Sequence, residues 1–494
     1  MAFGGNTITV INNIADKVLN LTLKDVKIDV SDTGGDNFEF EDDQIGKAAL
    51  SVEGKGNVEI ELDGNNELKS GASKAGLEKT STGKLTLKDD NNEAGSLTAT
   101  GGASAAGIGG GFQGKGENIT ITGGTVDATG GYGSAGIGGG NGGVGKNITI
   151  TGGTVNATSN DGAGIGGGLL GSGENIAITG GTVTAAGGFG NAGIGGGNGS
   201  DGENITINGG SVTATGGSYA AGIGGGSVGF WGGESGSGKN ITINGGTVNA
   251  TGTDGGAGIG GGENGNGEDI TINGGKVNAS GAYGGAGIGG GVNGIGSKVT
   301  VSGAAQVTAT ATGSGPDWSG VGTGATIGNG GSKTPDGPVD GKEIQADISH
   351  LTTGYIHHII YNPDLDLDGK PDGILKEWWE FALPKPIPDG ESLDLHVETL
   401  KGAPLLFNTR QQGSTLRVTT DNLSARLHGT RQALETLQEQ GVEQIQFVTT
   451  LKTTTLSVED LLTEGGSWFA LEHDGLGSRR LSAAQAESLK CWRH

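Results

Sequence analysis

The sequence predicts an all-β protein, a right-handed parallel β-helix with three short strands per coil of about 29 residues, followed by a smaller C-terminal α+β domain. Three observations carry that prediction. The phrase AGIGGG begins at Ala106 and returns at Ala135, Ala163, Ala192, Ala221, Ala257 and Ala286, at spacings of 29, 28, 29, 29, 36 and 29 residues. Between copies run two further phrases, NITITGG and TVxATGG, in which Ile, Val and Ala alternate with polar residues. A period of two marks a strand with one apolar and one polar face. Glycine supplies 110 of 494 residues and aromatic residues only 4%; without a fixed period that composition reads as disorder, so the regular spacing selects a stacked repeat.

Taken in order, residues 1–44 are a cap or first coils. NTITVINN and VLNLTLKDVKIDV alternate like strands, and Asp32 to Asp43 is an acidic loop. Residues 45–331 are the solenoid. Its first turns, AALSVEGKGNVEIEL and KAGLEKTSTGKLTL, are degenerate, with Ala75-Gly76-Leu77 standing where Ala106-Gly107-Ile108 stands later, and VGTGATIGNGG is a worn last repeat. Pro and Lys punctuate a linker at 332–342. From 343 to 494 the composition changes: all seven His and all seven Arg lie beyond residue 349. There SARLHGTRQALETLQEQG reads as a helix, VEQIQFVTT as a strand and SVEDLLTEGG as a second helix, with a β segment at GYIHHIIY. This domain is expected to serve attachment or assembly.

Stacking coils roughly 4.8 Å apart turns each repeated letter into a ladder. Ile108 and its equivalents are expected inside one side, Ile119, Ile148 and Ile176 inside a second, Val126, Val155 and Val183 inside the third. The AGIGGG glycines belong at a corner where positive φ or close backbone approach excludes a side chain. Glu117, Lys146, Glu174, Glu203, Lys239 and Glu268 form a mixed-sign stack suited to ion pairs between coils, each of small value. Beside it Asn118, Asn147, Asn175, Asn204 and Asn240 are expected to satisfy corner backbone groups. The recurring Asn-Ile-Thr matches a glycosylation acceptor but lies within a strand.

The net charge of −24 argues against nucleic acid and anionic membrane as partners, and suits calcium or basic partners. No apolar run approaches the ~18 residues of a membrane helix, and MAFGGNTITV lacks the basic start and apolar core of an export signal. Cys491 is the single cysteine, so no disulfide framework exists.

The run from NELKSGASKAGLEK through GKLTL and GSLTATGG to AGIGGG and NITITGGTVxATGG resembles the Gly-rich β-helix repeats of large surface or secreted proteins of Gram-positive anaerobes. The resemblance implies an extracellular or cell-surface location. Similar β-helices include binders of acidic plant polysaccharides that use calcium, so it also implies glycan binding; it supplies no functional residues.

Polysaccharide lyases and hydrolases also use this architecture, but such chemistry needs a positioned base or carboxylate pair. Residues 1–349 hold no Arg, His or Cys, and Asp127, Asp161, Asp201 and Asp254 fall at different repeat positions; no catalytic residue is assigned. A structural or adhesive role fits better. Thr125, Thr154, Thr182 and Thr247 form an outward row for a polysaccharide, a neighbouring subunit or ice, although exposed strands favour Thr in any case. The 36-residue repeat places Phe230 and Trp231 on a loop, for sugar stacking, protein contact or packing on the coil below. Tyr132, Phe189, Tyr219 and Tyr283 fall at equivalent turns and suggest an aromatic edge. DLDLDGKPDG, with Asp364, Asp366, Asp368 and Asp372, resembles the start of a calcium loop, except that Leu375 stands at the twelfth position; the ion would be structural. His357 and His358 are adjacent and point to opposite faces. Open solenoid ends offer strand edges for homo-oligomer or filament growth.

Overall fold

The computed structural model describes residues 6–35, 45–91, 93–227, 235–313, 320–363, 372–381, 394–403, 405 and 407–489. The chain divides into two units, 1–380 and 381–494.

The first unit is the three-sided solenoid. One side is an 11-stranded parallel sheet. It is built from Ile8–Asn12, Leu50–Gly54 and Leu77–Lys79, and then from the two-residue strands of each AGIGGG, such as Ile108–Gly109 and Ile137–Gly138. The second side stacks the NITI strands, Gly116–Ile121 on Gly145–Ile150 and onward, and the third the TVxAT strands, Thr125–Gly130 on Thr154–Ser159 and onward. The long strand Asn57–Lys69 turns the corner and serves both: its first half pairs with Val18–Lys24, its second with Lys27–Asp29. The N-terminal residues are therefore the first coil.

Most inward rungs stack aliphatic on aliphatic: Ile119 with Ile148, Val126 with Val155, Ile137 with Ile165, Leu77 with Ile108. All are sealed from solvent, so the interior is three expected aliphatic ladders. The glycine corners follow from geometry. The residue after each AGIGGG isoleucine has φ between 132° and 143°, from Gly109 through Gly328, where side chains are not tolerated. A Cβ on Gly138 would also lie 2.0 Å from the Gly166 carbonyl oxygen of the next coil.

Two expectations change here. Residues 343–363 continue the solenoid: Tyr355–Tyr361 pairs in parallel with Gln306–Thr312 over seven residues, because Ile356 and His358 extend the inward ladder of Val307 and Ala309, and Ile374–Phe381 joins the same sheet. The span 332–342 is likewise no plain linker. Ser332–Thr334 and Gly337–Val339 form a hairpin, and the Asn329 N–H bonds to the Lys342 carbonyl at 3.0 Å. The domain boundary thus falls at 380/381 rather than 342/343.

The second unit holds two four-stranded sheets. Leu395–Glu398, Ser424–Thr430, Trp468–Asp474 and Gly477–Arg480 pair antiparallel. Asn408–Gln412, Thr415–Thr419, Gln444–Val448 and Thr453–Ser457 form the other, with its two middle strands parallel. Leu427, Leu434, Leu437, Ile445, Phe447 and Leu471 share the core. The expected helix from Ser424 is shorter, because Ser424–Thr430 is a strand. The Thr430 hydroxyl accepts from Ala433 N at 3.1 Å, capping the helix Arg431–Glu439. Buried Arg426 bridges Glu398 and Glu472, each at 2.7 Å. Among the described residues no helix is long and apolar enough to cross a membrane.

Candidate functional site

The TVxAT side carries three outward rows because its alternate residues, Val and Ala, fill the interior. Thr125, Thr154, Thr182 and Thr247 fall in register on successive rungs, with Ser211 between the last two. All are exposed. The middle row is bonded along the axis: Asn156 Nδ2 donates to Asp127 Oδ1 and Asn278 Nδ2 to Asn249 Oδ1, both at 2.7 Å. In the third row the Thr129 and Thr158 hydroxyls lie 3.4 Å apart. The sheet thus holds hydroxyl and amide groups at the spacing of its rungs, fixed by backbone pairing rather than by flexible loops.

The NITI side is also polar. Asn147 Nδ2 donates to Asn118 Oδ1 at 2.9 Å and Asn175 Nδ2 to Asn147 Oδ1 at 3.1 Å. Among the described residues these amides therefore bond mainly to each other, and of them Asn118 alone reaches a backbone carbonyl, that of Thr82 at 3.2 Å, a correction to the expected backbone role. Their φ values of 52° to 57° explain the choice of residue, since Asn tolerates the left-handed region. The charge stack forms as expected at Lys146–Glu174, 2.7 Å, and at Lys239, 2.5 Å from Asp201 and 3.6 Å from Glu203. The Lys146 hydrogen bond lowers the Glu174 carboxyl. Near the first coils a shallow groove of about 460 Å³ is lined by Lys55, Lys84, Asn57, Asn118 and Thr120 among others.

Several expected site residues cannot be placed. Phe230, Trp231, Asp364, Asp366 and Asp368 lie outside the described residues; Asp372 is exposed, and its carbonyl accepts from Asn362 Nδ2 at 3.3 Å. Among the described residues no cluster of three or more His, Cys, Asp or Glu is arranged to hold a metal. Of the turn aromatics, Phe189 and Tyr219 meet edge-on with centroids 5.4 Å apart.

Two polar features escaped the sequence reading. Lys79 occupies an inward position on the same side as Leu77, where a hydrophobe is expected. It is buried, its Nζ donating to the Ser81 carbonyl at 2.7 Å, and burial pushes its pKa down to about 8. The second is the C-terminal end of the solenoid. Here the Glu343 carboxylate accepts from Thr326 N at 2.6 Å and Ile327 N at 3.1 Å, standing in for the carbonyls of an absent next coil. The Thr326 hydroxyl lies 2.5 Å from His358 Nδ1 and 2.9 Å from Glu343 Oε1. As expected the paired histidines face opposite ways. His358 is inward and stacked on Trp378, while His357 is on the outer face, stacked on Trp379 and 2.6 Å from Glu377.

The end cluster makes acid stability a test of burial. Desolvation pushes His358 down from 6.5 to about 4, with His357 and Lys376 adding to it. Between those values the unfolded chain binds a proton that the folded chain refuses, so stability falls as pH drops from about 6.5 to 4, by up to about 3 kcal/mol. Burial raises the Glu343 carboxyl and offsets part of that loss. Thermal midpoints across this window should therefore fall less in His358→Gln than in the unaltered chain; equal slopes would refute a titrating, buried His358.

The comparisons agree with the geometry. A family model described as beta helix repeat matches residues 93–112, 119–141, 148–169, 176–198, 205–227, 241–263 and 270–292. The matched segments, all within residues 93–292, are beta helix repeats. Each match to the β-helix repeat begins near one rung and ends within the following AGIGGG region, the same unit that the stacked strands define. No curated protein and no solved structure matches the chain.

Proposed function

We propose that the β-helix is an extracellular bacterial surface protein of structural and adhesive type that holds a polysaccharide along its TVxAT side. One observation carries the reading: Thr125, Thr154, Thr182, Ser211 and Thr247 stand exposed in a register set by backbone pairing. A repeating polymer gains from a repeating surface, because each rung adds a similar weak contact. A rigid sheet also loses little side-chain entropy on binding. Calcium at the Asp364–Asp372 segment is retained as a structural ion in this reading, and calcium is also suited to bridging an acidic glycan to a chain of charge −24.

The test is retention of the purified chain on neutral and acidic polysaccharides, with calcium and then with chelator. Replacing Thr125, Thr154, Thr182 and Thr247 together by Val keeps a β-branched surface and removes four hydroxyls. At about 0.5–1.5 kcal/mol per hydrogen bond, affinity should fall at least tenfold with an unchanged thermal midpoint. Unaltered affinity, or no retention of the parent chain on any glycan, would overturn the proposal. Release of ultraviolet-absorbing unsaturated sugars in the same samples would replace it with a lyase.

A further inference from the structure

The two ends of the solenoid are built differently. At the C-terminal end Ile327, Val301 and Ile356 are fully buried, the Glu343 carboxylate accepts from the N–H groups of Thr326 and Ile327, and the strand Ile374–Phe381 exposes Ile374, Leu375 and Trp379. At the other end Leu19 sits on an inward rung and is 40% exposed, whereas its rung partner Val58 is 0% exposed. Ile11, Ile14 and Val18 of the same coil are exposed as well. Among the described residues Val18–Lys24 pairs on one side only, with Asn57–Lys69, and Ile8–Asn12 with Leu50–Gly54.

We propose that this first coil pairs with the first coil of a second copy, giving a closed twofold dimer through Val18–Lys24. The segment Asp16-Lys17-Val18-Leu19-Asn20-Leu21-Thr22-Leu23-Lys24-Asp25 is complementary to itself. Laid antiparallel on its own copy about Leu21, the strand sets Leu19 opposite Leu23 and brings Lys17, just before it, to the level of Asp25, just after it, whose φ is 52° and whose Oδ1 also accepts from Asn65 N at 3.0 Å, each twice by symmetry. Directly opposed residues share a face, so a shift of one residue opposes Leu to Asn or Thr. A shift of two opposes Lys17 to Leu23, or Leu19 to Asp25. A twofold axis through this side also keeps the interior facing the interior, so the Leu ladders of the two copies become continuous.

The pairing segment is balanced within itself, Lys17 and Lys24 standing against Asp16 and Asp25, although the residues on to 44 bring the first 44 to −6. Lys24 is paired with Glu93, while Lys17 forms no ion pair among the described residues and is available to Asp25 of the second copy. A twofold contact uses the same edge of both copies, so growth through it stops at two. A head-to-tail filament would need two open ends.

Sedimentation of the full chain over a hundredfold concentration range tests this. The mass should rise to twice the monomer and stop there. Leu21→Lys places two ammonium groups on the axis and should remain monomeric at concentrations tenfold above the parent's midpoint. Lys17→Asp should weaken the dimer and Lys17→Asp with Asp25→Lys should restore it. In a Cys491→Ser background, Leu21→Cys should cross-link on oxidation and Thr154→Cys should not. A parent chain monomeric throughout, species larger than two, or no cross-link through residue 21 would each overturn the proposal.

Discussion

Gly138→Ala is expected to lower stability by about 3–6 kcal/mol, from strain at a backbone conformation side chains avoid and from collision with the neighbouring coil. The added Cβ would sit 2.0 Å from the Gly166 carbonyl oxygen at φ +137°, and neither obstacle can relax without moving a rung. Gly142→Ala is the control. Its φ is +78° but the nearest atom to its Cβ is Gln113 Cγ at 3.7 Å, so only strain applies, at about 1–2 kcal/mol. Denaturant unfolding of the two variants separates the terms; equal losses would show that close approach between coils contributes nothing.

The second large effect is Ile205→Ala. Ile205 is fully buried between Ile176 and Ile241 on adjacent rungs, and removal of its side chain should cost about 2–5 kcal/mol. The distribution of that loss matters more than its size. Each coil touches only its neighbours, so a defect at one rung weakens two interfaces and leaves the others intact. Hydrogen exchange should show faster opening of the coils holding Ile176, Ile205 and Ile241 and unchanged protection around Ile119. Uniform acceleration through residues 45–331 would mean that the solenoid opens as one unit.

The ladders were legible because stacking converts sequence period into spatial register: a letter repeated every coil can only meet itself. Gly138 was legible for the same reason. The amide row was half legible. Its repetition could be read, but that Asn118 takes a left-handed conformation and bonds to Asn147 depends on a corner whose angle no pattern states. The closed end was illegible, since Glu343 acts through Thr326 and Ile327, and nothing in the letters of 332–343 says which backbone groups remain unpaired there. Ser424–Thr430 misled because its polar residues Arg426 and His428 are themselves buried, Arg426 through two ion pairs. Burial on both faces erases the alternation that would identify a strand.

The 36-residue repeat leaves Ile223 opposite Ile259 and Ile205 opposite Ile241, so its seven additional residues keep the isoleucine rungs in register, with an irregularity between Thr215 and Ser218 on the third side. Length and register are therefore inherited separately. A duplication or deletion of one whole coil presents the same surfaces to its new neighbours as before, and requires no compensating substitution. Recombination between copies of AGIGGG would lengthen or shorten this protein in units of one rung, changing its reach without changing its cross-section.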